Sequence, residues 1–176
     1  DLRFRNFTQV GPTAQALNCT GTARIYNYDS NWGGNVTFVA PRMNTRGTTY
    51  NGTSYLEKNG ATNDASVGGN TFVLDCELRN SGTAQFLMGN GTADVWQANL
   101  DVNNTGTNNT YIAYNGLGHS VAGTLDWTRT GSAQNDYLAS QATSDLTVTG
   151  NATFTNTSGG AGTIYIANSG DITFDG

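Results

Sequence analysis

The chain has 176 residues, with eight basic and thirteen acidic side chains, one His and a formal net charge of −5. That balance argues against nucleic acid as a partner, which calls for a basic footprint, and no apolar run is long enough to span a membrane. With 23 Gly and only two Pro, in a sequence dominated by Thr, Asn and Gly, the composition suits short strands and tight turns rather than helices.

Residues 1–31 carry scattered apolar positions, Phe4, Phe7 and Val10, then Ala16–Cys19 and Ala23–Tyr28. They read as one or two degenerate N-terminal coils of the same repeat that fills the remainder of the chain. From Trp32 to the end, over residues 32–176, a single module restarts every 18 to 27 residues. Restarts at such a period mark a solenoid or array. Each copy opens on an anchor: Trp32, Tyr50, Phe72, Trp96, Val121, Val148 and, where the sequence stops, Phe174.

Every second residue after the anchor is apolar or small. The sets are Trp32-Gly34-Val36-Phe38, Tyr50-Gly52-Ser54-Leu56, Phe72-Leu74-Cys76-Leu78 and Trp96-Ala98-Leu100-Val102; then Val121-Gly123-Leu125-Trp127 and Val148-Gly150-Ala152-Phe154. Alternation over seven residues predicts one strand with one buried face. Ten residues past the anchor stand Gly60, Gly82, Gly106 and Gly131, each after a polar pair. This pattern predicts a turn with a positive φ, which glycine accepts. A second apolar run follows in four copies, Phe86–Met88, Tyr111–Tyr114, Tyr137–Ala139 and Ile164–Ala167, and a shorter third strand leads back to the next anchor.

Three short strands and three turns per copy predict an all-β chain folded as a right-handed parallel β-helix. The copies are too short for propeller blades, and a sandwich would not restart on one module. The ends show no capping helix, as a soluble solenoid would need, so the sequence reads as an internal segment of a longer chain.

Chemistry is sparse. Cys76 lies on the inward register and Cys19 about three coils away, too far for a disulfide. No zinc spacing is present. His119 and Lys58 are the only residues of their kinds, and a lone His in the turn before an anchor reads as solvated. No catalytic residue is assigned. Glu77, Asp101 and Asp126 each stand five residues past their anchors and are expected to form an outward column at steps of about 4.8 Å. Arg79 and Arg129 are expected near enough to soften its repulsion. Such a column is an acidic stripe or a Ca²⁺ site; otherwise no cofactor is expected. Phe86, Tyr111, Tyr137 and Tyr165 precede the inward aliphatics Leu87, Ile112, Leu138 and Ile166, so they are expected to form an outward aromatic column for ligand or partner binding. Asn-x-Ser/Thr sequons are numerous, as a Thr- and Asn-rich composition produces by chance, and they identify no site.

The phrases Asn6-Phe-Thr-Gln-Val-Gly-Pro-Thr-Ala-Gln15, Thr49-Tyr-Asn-Gly-Thr53, Leu56-Glu-Lys-Asn-Gly-Ala-Thr-Asn63 and Gly68-Gly-Asn-Thr-Phe72 resemble giant repetitive cell-surface proteins of gliding, type IX-secreting Bacteroidota bacteria. The resemblance covers nearly the whole chain, departs at Val73-Leu74, and is one of repeat grammar rather than of an active site. It implies an extracellular, adhesin-like or filament-forming β-helix and not an enzyme. Its partners would be neighbouring coils or domains of the same long chain, further copies by lateral self-association, surface glycans or other cell-surface proteins. The alternatives are a carbohydrate-binding or carbohydrate-cleaving β-helix and, last, an ice-binding solenoid, for which Thr124, Thr149 and Thr153 make no uninterrupted Thr column.

Overall fold

The computed structural model describes residues 1–131, 134–160 and 162–176. Within them every strand pairing is parallel and no helix occurs. The chain is a β-solenoid of about seven turns whose strands stack into three ladders. One ladder is seven-stranded and carries the anchors, from Asn31–Trp32 to Asp171–Phe174. A second seven-stranded ladder runs from Gln15–Asn18 to Ala152–Asn156. The third comes in two pieces. Leu2–Arg5, Arg24–Tyr28 and Arg42–Arg46 form a three-stranded sheet, and five short strands from Asp64–Ala65 to Ile164–Ile166 form another. A single bridge, Arg46 to Gly68, joins the two pieces in line.

The anchors fall in one register without a slip. Trp32 pairs with Tyr50, Tyr50 with Phe72, Phe72 with Trp96, Trp96 with Val121, Val121 with Val148 and Val148 with Phe174. All but Phe174 are buried. The aromatic anchors stack as they climb, with ring centroids 4.8 Å apart for Tyr50 and Phe72 and 5.5 Å for Phe72 and Trp96, at interplanar angles of 1° and 3°. Parallel strands put identical positions one strand step apart, which is the spacing that offset stacking favours. The alternating columns led by Val36 and Phe38 also stay in register through to Ala152 and Phe154.

The expected seven-residue strand is broken in two. The anchor ends one short strand, and the next ladder begins four residues on, at Val36, Ser54, Cys76, Leu100, Leu125 and Ala152. The residue between, two past the anchor, sits at a corner. There a Cβ on Gly52 would stand 2.4 Å from the Gly34 carbonyl carbon, and one on Gly150 2.5 Å from the Gly123 carbonyl oxygen. Small residues keep period two across this bend because the coils nearly touch, not because they face the core. Leu74, placed by periodicity among the inward residues, is 46 % exposed.

A second correction concerns the turn glycines. None of Gly60, Gly82, Gly106 and Gly131 has a positive φ. They are glycine for lack of room: a Cβ on Gly106 would come within 2.2 Å of the Gly82 carbonyl oxygen, and one on Gly131 within 1.8 Å of that of Gly106. A recurring positive φ falls elsewhere, on the corner just past the short strands of the third ladder, at Gly89, Ala113, Ala139 and Ala167. Gly106→Ala is therefore expected to destabilise the chain by about 1–3 kcal/mol through overpacking, read as a lower urea midpoint. An unchanged midpoint would show that the coils can part without cost.

The same turn holds a polar ladder. Lys58, Asn80, Asn104, Arg129 and Asn156 stack in register at the end of the second ladder, all buried but Asn156. Asn80 and Asn104 each close their own turn. Asn80 Nδ2 donates to the Ala84 carbonyl and its Oδ1 accepts from Gly82 N; Asn104 Nδ2 donates to the Asn108 carbonyl and its Oδ1 accepts from Gly106 N. Lys58 stands in this column fully buried, its Nζ 3.3 Å from the Gly60 carbonyl, and burial pushes its amine down to about 8. Lys58→Asn gives the turn the amide its neighbours use. It is expected to raise stability by about 1–2 kcal/mol, as a buried charge is exchanged for a satisfied amide; a lower melting temperature at pH 7 would refute this.

Candidate functional site

The carboxylate column forms as expected. Glu77 pairs with Asp101 and Asp101 with Asp126 on the outer face of the second ladder. Below Glu77 the same column continues with Tyr55 and Thr37, and above Asp126 with Thr153. Asp101 and Asp126 are exposed, while Glu77 is half-buried and accepts a hydrogen bond from Asn103 Nδ2 at 3.0 Å. Partial burial, then the charges of Asp126 and Asp75, hold the Asp101 carboxyl above its usual range. Among the described residues no three His, Cys, Asp or Glu side chains are grouped as metal ligands. In-register carboxylates on a flat sheet point side by side, whereas a Ca²⁺ shell needs six to eight oxygens converging from several directions.

Arg129 does not soften this column. It alternates inward, is fully buried, and its Nη1 lies 3.0 Å from Asp136 Oδ1 inside the solenoid. Arg79 is on the outer face, in register with Glu57 and Asn103.

Three members of the aromatic column align. Tyr111 pairs with Tyr137 and Tyr137 with Tyr165, with centroids 4.8 and 5.1 Å apart and planes within 8° of parallel. Phe86 is not one of them. It pairs with Thr110, one residue before Tyr111, and is fully buried; Leu87 takes the place opposite Tyr111. The inward aliphatic in that coil is therefore Met88, not Leu87. A one-residue slip exchanges the two faces, and the expected alignment contained one. The rings turn their faces to one another along the column, leaving edges and hydroxyls to solvent. Asn109 and Asn135 donate through Nδ2 to the hydroxyls of Tyr111 and Tyr137 at 2.8 and 3.3 Å. A sugar stacks on an open ring face, and only the end of such a column offers one.

Both cysteines are free and buried, and burial pushes the Cys76 thiol up to about 12, far from a reactive thiolate. His119, expected in solvent, is 1 % exposed. It stands two residues before its anchor, in a column that also contains Ser30, Thr48, Asn70 and Asp94. From Asn70 to His119, each side chain caps the backbone N–H of the coil before it. Thr48 N donates to Asn70 Oδ1 at 3.2 Å, Asn70 N to Asp94 Oδ1 at 2.9 Å, and Asp94 N to His119 Nδ1 at 3.0 Å. Burial lowers the His119 pKa and lifts Asp94 to about 7. The hint in the sequence was that this position is always a side-chain hydrogen-bond acceptor until Leu146 and Ile172 end the run.

Comparison of the chain with protein-family models, with curated proteins and with solved structures found no match.

Proposed function

We propose that this chain is a structural, rod-forming segment of a long extracellular cell-surface adhesin or filament protein, of the kind its repeat phrases resemble. The observation that carries the proposal is the unbroken register of its columns over about seven turns, with the anchors from Trp32 to Val148 packed into one continuous core. A solenoid of this kind is stiff along its axis because each coil is held by backbone ladders and apolar contact to the next. The functional demand on such a segment is mechanical, and it is met by ladders rather than by an active site. The tyrosine column then serves as a same-face sheet stabiliser.

Electron microscopy of the native full-length material, with and without EDTA, tests this. Long thin rods unaffected by EDTA are the expected result. Rods that come apart in EDTA would make the Glu77–Asp101–Asp126 column a structural metal site, and compact particles would overturn the rod. Labelling of intact cells with an antibody to this segment checks the location; a signal only after permeabilisation would rule out the cell surface.

A further inference from the structure

Charge is unevenly spread over this acidic chain. Five of its eight cationic side chains, Arg3, Arg5, Arg24, Arg42 and Arg46, lie on one face, the three-stranded sheet of the first coils. They alternate there with Tyr26, Tyr28 and Asn44. Arg5, Tyr28 and Arg46 form one column, and Arg3, Tyr26 and Asn44 the next. The rings hold three of the guanidiniums in place. Arg3 and Arg24 lie 4.6 and 4.7 Å over Tyr26, and Arg46 lies 4.9 Å over Tyr28. With the ring faces occupied, what this face offers outward is the N–H edges of the guanidiniums and the tyrosine hydroxyls. Pre-ordered guanidinium edges are carboxylate receptors. Counter-charge is incomplete: Arg24 and Arg42 share the single carboxylate of Asp64, Arg46 meets Asp29, Arg3 meets Asp1 at 3.5 Å, and no described carboxylate pairs with Arg5.

We propose that this Arg–Tyr face docks the Glu77–Asp101–Asp126 column of a second copy of this chain, so that rods join side by side in a staggered, open array. The fit is one of period. Both columns climb one strand step per residue, so Arg5, Tyr28 and Arg46 meet Glu77, Asp101 and Asp126 as cation, hydroxyl donor and cation against three carboxylates. Burial and neighbouring Tyr26 keep the Tyr28 hydroxyl protonated and able to donate. The crowding of Asp101 by Asp126 and Asp75 is eased when Arg46 pairs with Asp126 and the Tyr28 hydroxyl donates to Asp101. The two surfaces lie on different ladders and at different heights, so the contact is heterologous and leaves a free face of each kind on every pair, a geometry that propagates. The inference extends the rod reading without depending on where the rod resides.

The test is sedimentation velocity of the chain at on the order of 1 mM protein, a concentration that reveals weak contacts. Salt is set at about 0.1 M and about 1 M, where the screening length falls from about 10 to about 3 Å. Expected are species larger than monomer at the lower salt and their loss at the higher. Arg5→Glu/Arg46→Glu and Glu77→Lys/Asp126→Lys should each be monomeric with an unchanged β-sheet circular dichroism spectrum, and mixing the two should restore assembly. A monomeric wild type at the lower salt overturns the proposal. So do assemblies that survive both reversals, or a mixture that stays monomeric. A monomeric wild type whose Arg face instead binds polygalacturonate, with binding lost in Arg5→Glu/Arg46→Glu, hands the face to an acidic glycan. In all these cases the rod reading still stands or falls on particle shape.

Discussion

Asp136→Ala is expected to lower stability by about 3–5 kcal/mol, the cost of breaking a buried ion pair from one side. Asp136 is fully buried, and four groups converge on its carboxylate. Oδ1 accepts from Asn104 Nδ2 at 2.6 Å and Thr110 N at 2.8 Å and lies 3.0 Å from Arg129 Nη1 in an ion pair, and Oδ2 accepts from Trp127 Nε1 at 3.2 Å. Burial pushes the carboxyl up while these donors pull it down. The hub ties the asparagine ladder, the second ladder and the third together across coils. Alanine removes the carboxylate that faces the Arg129 guanidinium and leaves three further donors in an apolar interior. Replacing both charges, as Asp136→Leu with Arg129→Met, should recover only part of the loss, because no lone charge is then left buried while Asn104 Nδ2, Thr110 N and Trp127 Nε1 still lose the carboxylate they donate to. Chemical denaturation decides it; a single variant within about 1 kcal/mol of wild type would show that the hub closes without Asp136.

The second large effect is a pH dependence that Asp94 imposes. Its carboxyl is lifted from 3.8 to about 7 by complete burial, against two hydrogen bonds from Asn70. A raised carboxyl pKa means that the folded chain holds a proton which the unfolded chain has released between about pH 4 and pH 7. Its stabilising contribution is thus complete below pH 4 and lost as pH rises through 7. The loss is about 4 kcal/mol, at 1.36 kcal/mol per unit. His119 acts in the opposite sense. Its lowered pKa makes its contribution complete above about 6.5 and lost as pH falls. Comparing wild type with Asp94→Asn separates the two, since asparagine keeps the oxygen that accepts from Asn70 and does not titrate. The variant should gain on wild type by about 4 kcal/mol between pH 4 and pH 8. A gap that stays constant over this range would mean that Asp94 remains ionised in the fold.

Much of the fold was readable from residues alone, and for one reason. In a parallel solenoid, equivalent positions stack at a fixed step, so the pattern that repeats along the chain is also the pattern of contacts. Trp32, Tyr50, Phe72, Trp96, Val121 and Val148 could be laid over one another by eye and prove to be bonded neighbours. The Glu77, Asp101 and Asp126 column followed from the same count. Alignment failed where residue type was followed instead of the count. The turns of residues 81–85 and 105–109 are equal in length, so Phe86 falls opposite Thr110 and not Tyr111, and one residue was enough to send Phe86 inward.

What residue order settled here is the repeat, the identity of the core columns and the acidic stripe on the second ladder, because period-two alternation dictates which side of a strand each residue faces. What waited for the coils to close on one another is the corners and the polar interior. Spacing cannot tell a glycine that needs a left-handed backbone from Gly106, which needs only room for the carbonyl of Gly82. Nor can it tell a solvated histidine from His119, buried as the acceptor for Asp94 N. Burial of Lys58, Asp94, Arg129 and Asp136 depends on the approach of segments more than twenty residues apart, and that approach exists only in three dimensions.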